Sequence, residues 1–267
     1  MLRLRTGEAS DGPSASRDPL PPAGVPTLDT GQGPGSTPIM SASRSTPRLL
    51  ETLATHQDHQ DWLRMWRKGQ TDDFHQAKIN PLLRRFWHTL VPDPAARVFV
   101  PLCGKSLDLL WLAARGHEVI GVELSPVAIN AFFSECGLKP DKRKRGKLTR
   151  HDSERISLLC GDFFRLEPDD LGAIDVVYDR AALTALPEAL RAPYVARLRH
   201  LVPPQCTVFL VTVADVDPDA PDEVRAGGID EDIRRLYAAH FDIDMAHREP
   251  GFTDLEHTAY RLRPRPR

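Results

Sequence analysis

The sequence has few cysteines, no long apolar run and almost no net charge, and each absence excludes a class of protein. Its four cysteines are scattered, without a CxxC pair or the spacing of zinc ligands, which favours free thiols in a reducing compartment. No apolar run approaches the ~20 residues of a membrane-spanning helix. The 35 basic and 37 acidic side chains leave a net charge of -2, so no overall field attracts nucleic acid or anionic lipid. We expect a cytoplasmic protein with no nucleic-acid or membrane partner.

The first 54 residues differ in composition from the rest of the 267-residue chain. They are rich in Pro, Gly, Ser and Thr, and show neither helical nor strand periodicity. Such a segment buries too little apolar surface to offset its ordering entropy. We predict a disordered tail over 1–54 and one globular domain over 55–267. The tail lacks the apolar stretch of a secretory signal, and a dispensable extension or an early start codon is favoured over a transit peptide.

From about residue 55, short apolar runs alternate with amphipathic segments. Five runs indicate buried strands: 97–102, 118–124, 156–162, 174–179 and 207–213. Helical spacing of apolar residues follows the first two of them, and two alternating segments near the end of the chain indicate a closing antiparallel pair. This order predicts an α/β fold with a doubly wound, mostly parallel sheet of seven strands and helices on both faces. Ligands of such sheets bind beyond the carboxyl ends of the strands.

The turn after the first strand, PLCGKS (101–106), stands where nucleotide-binding loops lie. A P-loop would need glycine at position 99, where Phe99 stands, and a dinucleotide fingerprint needs three glycines, whereas Gly104 is alone. Glu123 ends the second strand 19 residues after Gly104, the distance at which an acid reaches the ribose of an adenosine ligand. Asp162 follows the third strand, where it can meet the adenine amino group. These features favour S-adenosylmethionine over NAD, with an NAD-dependent oxidoreductase as the weaker alternative.

Several segments resemble the thiopurine S-methyltransferase family, especially its bacterial members. They are 98–133, 161–172 and 174–198, together with the Trp-x3-Trp…Phe-His…Asn-Pro segment at 62–83. PLCGKS and YDRAAL at this separation are specific to the family. The resemblance implies a class I, Rossmann-like methyltransferase fold and a monomer. It also implies S-adenosylmethionine as methyl donor, S-adenosylhomocysteine as product, and in-line transfer to a thiopurine or another aromatic or heterocyclic thiol.

The resemblance also implies roles for individual residues. Those expected to bind the donor are Trp66, Leu102, Glu123, Asp162, Phe163 and Arg180. Phe74 matches a position that lines the acceptor pocket. Arg180 would lie beside both donor and acceptor and is the expected catalytic residue, with Asp179 as an orienting partner only.

Each of these residues also has a purely structural interpretation. Trp62 and Trp66 have the spacing of one face of an ordinary amphipathic helix, and Asp179 with Arg180 could be a structural ion pair. His56 and His59 are spaced as neighbours on a helix, but no third ligand is apparent, so we expect no metal. The basic run 139–150 is expected to be a solvated surface loop that could attract anionic acceptors.

One segment departs from the family pattern. Family members carry a Gly-Pro-Pro-Phe loop after the fifth strand, whereas residues 213–233 here have no such motif. The donor residues are therefore intact while the wall of the acceptor pocket is altered. Other small thiols, selenium or tellurium oxyanions and halides are alternative acceptors, and a non-catalytic protein that binds S-adenosylmethionine is the alternative of a different class.

Overall fold

Helices and strands alternate along the chain in the computed structural model, which describes residues 45–71, 75–91, 93, 95–215, 222–250 and 255–265. The elements in chain order are α1 (Ser45–Lys68), α2 (Pro81–Leu90), β1 (Arg97–Val100), α3 (Asp108–Ala113), β2 (Glu118–Glu123), α4 (Pro126–Glu135), β3 (Asp141–Arg145), β4 (Leu148–Ser153), β5 (Ile156–Cys160), α5 (Pro168–Leu171), β6 (Val176–Arg180), α6 (Ala182–Ala185), α7 (Glu188–Leu201), β7 (Thr207–Asp215), α8 (Asp222–Tyr237), β8 (Phe241–Pro250) and β9 (Leu255–Pro264). Phe74 and residues 1–44 of the predicted tail lie outside the described residues. Because α1 begins at Ser45, the domain boundary at residue 54 falls within a helix and stays a prediction.

The strands form one sheet in the order β3-β4-β5-β2-β1-β6-β7-β9-β8. Its five central strands, β5, β2, β1, β6 and β7, run parallel, and the pairs at both edges are antiparallel. This confirms the predicted mostly parallel α/β sheet and the closing antiparallel pair, β8 and β9. The predicted number of strands is wrong, since the sheet has nine strands and not seven in the part of the chain that the structure describes.

The two additional strands form a hairpin at one edge of the sheet, where a solvated loop is expected over residues 139–150. Arg145 pairs with Leu148, which leaves Gly146 and Lys147 as a two-residue turn, and Gly146 has a φ of +60°. Two-residue hairpin turns require left-handed residues, so glycine favours this turn. The inner strand β4 pairs with β5 and buries Leu148. Its outer strand β3 is exposed throughout, and its charges discourage further strand pairing.

Helices cover both faces of the sheet, as the sequence predicts. Side chains of consecutive residues in a strand point to opposite faces, and here Val176 and Val177 enter two different hydrophobic clusters. Phe99, Ile120 and Val177 pack with α6, α7 and α8 on one face, the α7 face. Val98, Val119 and Val176 pack with α2, α3 and α4 on the other, the α3 face.

Two helices of the α3 face begin at residues that favour the start of a helix. Asn80 caps α2, because its side-chain oxygen accepts hydrogen bonds from Leu82 N at 2.9 Å and Leu83 N at 3.2 Å. Ser125 caps α4 in the same way, and each cap is followed by a proline at the first helical position. Among the helices in the described part of the chain, none is long and apolar enough to cross a membrane.

Candidate active site

A large cavity lies at the carboxyl ends of the central parallel strands, beneath α1. Together with the solvent at its open mouth, the space within it is about 1050 Å³. Its floor is formed by the turn 100–106 after β1, by Glu123 at the end of β2 and by the segment from Tyr178 onward. Side chains of α1 cover it. This is the position at which the sequence predicts ligand binding, because the carboxyl ends of parallel strands form such crevices.

The turn after β1 has an unusual backbone. Leu102 has a φ of +46° and Gly104 a φ of +55°, so both residues adopt the left-handed conformation that favours glycine. Leu102 is strained there, and such strain persists only where the surrounding structure holds it. A hydrogen bond of 3.0 Å from Cys103 N to the carbonyl of Val122 fixes the turn to β2. The turn thereby directs Leu102 and Gly104 into the cavity wall.

Glu123 ties the end of β2 to this turn. Its Oε2 accepts a hydrogen bond from Gly104 N at 2.9 Å, and its Oε1 accepts one from Ser125 N at 2.7 Å. Burial raises the pKa of the carboxyl, while these backbone hydrogen bonds act in the opposite direction. Because a carboxylate has about four lone-pair sites, each oxygen retains acceptor capacity for a hydroxyl of a ligand. The structure therefore places Glu123 in hydrogen-bond contact with the single glycine of the turn, and its role as a ribose ligand stays a prediction.

Trp66 lies directly on the backbone of Gly104. A Cβ at Gly104 would lie 3.3 Å from Cζ2 of the indole, and the Trp66 side chain is buried. Asp58 and Trp62 precede Trp66 by eight and four residues on α1, which places all three on one face of the helix, and all three line the cavity. The sequence alone is also consistent with Trp62 and Trp66 forming one face of an ordinary amphipathic helix. In the structure this face covers the cavity.

Asp58 is a residue of the cavity wall that the sequence analysis missed. Burial raises the pKa of Asp58 from 3.8 to about 6, against a hydrogen bond with the Trp62 side chain that lowers it. The sequence signal that could have identified Asp58 as part of the cavity wall is its spacing of four residues from Trp62 and eight from Trp66. His75 and Tyr178 also line the cavity.

Phe163 and Asp162 are adjacent in sequence but have different surroundings. Phe163 lines the cavity and packs against Tyr194, with the two rings tilted by 33° and their centroids 4.8 Å apart. Asp162 borders a neighbouring groove, where its Oδ1 accepts a hydrogen bond from Phe164 N at 2.8 Å and faces His59 Nε2 at 3.6 Å. Burial lowers the pKa of His59, and the Asp162 charge opposes that shift. The structure therefore gives Asp162 a link to α1 in addition to its predicted adenine contact, which stays a prediction.

Arg180 and Asp179 point to opposite faces of the sheet. Arg180 lines the cavity. Asp179 is fully buried toward the α7 face, where it accepts hydrogen bonds from the Tyr194 hydroxyl at 2.7 Å and from Ala182 N at 3.0 Å. Burial raises the pKa of Asp179 to about 6. Between Arg180 and α6, Ala181 has a φ of +60°, so Asp179 fixes the turn that follows Arg180.

The described side chains supply neither a metal cluster nor a strongly polar cavity. Within the described ranges, no group of three or more His, Cys, Asp or Glu side chains could hold a metal ion. Apolar and aromatic side chains form much of the cavity wall, among them Trp62, Trp66, Leu102 and Phe163. A buried carboxylate and a guanidinium on such a wall suit a ligand that combines hydroxyl groups with an aromatic ring and that reacts away from water.

Comparisons of the amino-acid sequence relate the chain to a known family. The family model described as thiopurine S-methyltransferase matches residues 57–262. A thiopurine S-methyltransferase of Stutzerimonas stutzeri is 52% identical over 217 residues, which cover 78% of this chain and 92% of that protein. A thiopurine S-methyltransferase of Bordetella petrii is 40% identical over 216 residues, which cover 77% of this chain and 98% of that protein.

Among solved structures, the fold is similar to that of a more distant methyltransferase. The crystal structure of Burkholderia thailandensis 1,6-didemethyltoxoflavin-N1-methyltransferase, with 1,6-didemethyltoxoflavin and S-adenosylhomocysteine bound, has a TM-score of 0.57 at 17% identity. The match covers 88% of this chain and 93% of that chain. At this identity the likeness establishes the fold alone.

Proposed function

Because the chain belongs to the thiopurine S-methyltransferase family and is a methyltransferase that uses S-adenosylmethionine, we propose that its acceptor is the sulfur of a small thiol. The acceptor class is a thiopurine or another aromatic or heterocyclic thiol. The observation that carries this proposal is the position of Arg180 in a largely apolar cavity wall that the tryptophans of α1 also line.

The residues around the turn after β1 fit the methyl donor. Glu123 has acceptor capacity for ribose hydroxyls, and Gly104 allows the Trp66 indole to approach its backbone closely because it has no side chain. Leu102 and Phe163 would contact the adenosine and Trp66 would cover it. When bound, S-adenosylmethionine supplies a methyl group on a cationic sulfur. The acceptor sulfur would attack the methyl carbon in line, and the donor sulfur would leave as the neutral thioether of S-adenosylhomocysteine.

The side chains of the protein exclude water from the reactants and align the acceptor with the methyl group. Trp62 and Trp66 cover the cavity and exclude water, which favours a reaction in which opposite charges disappear. Their ring faces also favour a cation. Arg180 would hold the anionic or ring-nitrogen acceptor in line with the methyl group. An aromatic thiol is largely ionised near neutral pH, so no strong base is required, and Asp179 acts only by fixing the turn after Arg180.

The test combines ligand binding with methyl transfer. Binding of S-adenosylhomocysteine and of NADH is measured by calorimetry, and transfer from labelled S-adenosylmethionine is measured with thiopurine, thiophenol, hydrogen sulfide, selenite, tellurite and iodide. We expect S-adenosylhomocysteine to bind, NADH not to bind, and the aromatic thiols to be methylated.

The other outcomes each overturn a specific part of the proposal. Transfer only to selenite, tellurite, iodide or hydrogen sulfide would replace the aromatic thiol by that acceptor class. Donor binding without transfer to any member of the panel would favour a protein that binds the donor without this catalysis. Arg155→Ala, which changes an arginine paired with Glu118 at the other end of β2, serves as a control for the integrity of the preparation.

A further inference from the structure

Asp108, the first residue of α3, is a buried acid with no part in the function proposed above. Its side chain is 2% exposed, and an ionised carboxylate at such a site is costly unless it is paired and hydrogen-bonded. Its Oδ1 accepts a hydrogen bond from Asn80 N at 2.8 Å, and its Oδ2 accepts one from the Tyr178 hydroxyl at 2.9 Å. Arg180 Nε lies 3.9 Å from the same Oδ2. The charge is therefore compensated on both oxygens.

These partners belong to separate parts of the cavity. Asn80 caps α2 and ends the connection from the covering helix α1. Tyr178 and Arg180 lie on β6. Ser106, in the turn after β1, accepts a hydrogen bond at its Oγ from Asp108 N at 3.2 Å. Asp108 thus joins three parts of the site: its N–H binds the turn after β1, and its carboxylate binds the strand that carries Arg180 and the segment that follows α1.

The strand geometry explains why Arg180 meets this acid. Tyr178 and Arg180 are two residues apart on β6, so both point to the same face of the sheet. Tyr178 packs in the hydrophobic cluster of the α3 face, where α3 presents Asp108. Asp179 points the other way, to Tyr194 on the α7 face. The acid that faces the Arg180 side chain from α3 is therefore Asp108, 72 positions earlier in the sequence.

We propose that Asp108 is a positioning residue that orients the Arg180 guanidinium at the cavity wall, through its own charge and through Tyr178. The contact is made at Nε, the nitrogen nearest the strand, and the Arg180 side chain also lines the cavity. Because the backbone N–H of Asn80 donates a hydrogen bond to Oδ1 of Asp108, the same carboxylate also holds the segment between α1 and α2. The inference rests on the proposed role of Arg180 in methyl transfer.

A double-mutant cycle tests this. Wild type, Asp108→Asn, Arg180→Met and the double variant are compared in kcat/KM for thiopurine methylation and in affinity for S-adenosylhomocysteine. We expect Asp108→Asn to lower kcat/KM by about tenfold in wild type but less than about twofold in the Arg180→Met background, because residues that act as a unit are non-additive. Equal effects in both backgrounds overturn the proposal, since a merely structural acid would act independently of Arg180.

Two further variants keep the test decisive. Tyr178→Phe removes the hydrogen bond to Oδ2 and keeps the charge, so it supplies a second cycle with Arg180→Met should Asp108→Asn fail to fold. Asp175→Asn changes an acid that accepts a hydrogen bond from Arg97 N at the far end of the strands and should alter kcat/KM less than twofold, within the ordinary range of distant changes. If wild type methylates no thiol, the proposed function fails. The double-mutant cycle is then evaluated on the affinity for S-adenosylhomocysteine alone. Additive effects of Asp108→Asn and Arg180→Met on that affinity overturn the proposal for Asp108.

Discussion

Trp66 and Gly104 are 38 positions apart in the sequence, yet the indole lies on the glycine so closely that a Cβ would come within 3.3 Å of Cζ2. Gly104 also has a φ of +55°, and its N–H donates to Glu123. Gly104, in the turn after β1, therefore contacts both the cover and the buried acid. A change at Gly104 should act on all three at once.

Gly104→Ala should lower the affinity for S-adenosylhomocysteine and destabilise the fold by about 1–3 kcal/mol, because alanine is strained at this φ and its methyl group would displace Trp66. Calorimetry and urea unfolding measure the two effects. Gly137→Ala is the matched control, because Gly137 has a φ of +68° but no atom within 4 Å of its Cβ position. Equal loss of affinity in both variants would contradict the importance of the Trp66 contact.

Glu123→Gln should weaken S-adenosylhomocysteine binding by about ten- to a hundredfold, the range expected for loss of hydrogen bonds to a charged group. The amide has one acceptor oxygen where the carboxylate has two, and both Gly104 and Ser125 donate to this side chain. Calorimetry of the folded variant gives the affinity. Glu118→Gln, at the exposed start of the same strand, should leave the affinity for S-adenosylhomocysteine unchanged. An unchanged affinity in Glu123→Gln would show that Glu123 does not bind the ribose.

Arg180→Ala should lower kcat/KM for thiol methylation by about a hundredfold, because a charged group aimed at the reacting centre contributes on that scale. Arg180→Lys should recover part of the activity, since it keeps the charge but not the planar fork. Transfer from labelled donor gives the rates. Full turnover together with full donor affinity in Arg180→Ala would show that the role given to Arg180 is wrong.

The pKa of Asp58, raised to about 6 by burial, predicts a pH dependence of stability. Between pH 4 and 6 the folded protein holds a proton at Asp58 that the unfolded chain releases, so the free energy of unfolding should fall as the pH rises through this interval. The contribution is about 1 kcal/mol, because the side chain is partly exposed and solvent screens it. Urea unfolding across this pH range measures the slope.

Two variants on α1 separate this effect from other titrations. Asp58→Asn should flatten the slope, whereas Trp62→Phe should extend it to higher pH, because the hydrogen bond with Trp62 lowers the pKa of Asp58. If the free energy of unfolding has the same slope against pH in wild type and in Asp58→Asn, the slope arises from the titration of other groups.

The sequence determines the alternation of strands and helices, the closing pair and the position of the cavity, because these follow from local signals. Apolar runs define the central strands, and caps such as Asn80 and Ser125 begin the helices. Glu123 ends β2 and Gly104 lies in the turn after β1, and the two residues meet because these strands are adjacent and parallel. The hairpin of β3 and β4 was missed although its glycine turn was visible, because strong charge masked the strand pattern.

Only the tertiary structure decided which side chains meet across the sheet. Strand order brings β1 between β2 and β6, so Asp108 reaches Tyr178 and Arg180 from 70 and 72 positions away, and no local pattern encodes that distance. The alternation along β6 separates Asp179 from Arg180, and α1 places Asp58 and Trp66 over the cavity. Such contacts depend on packing of the whole sheet, because a buried charge is tolerated only where distant partners compensate it.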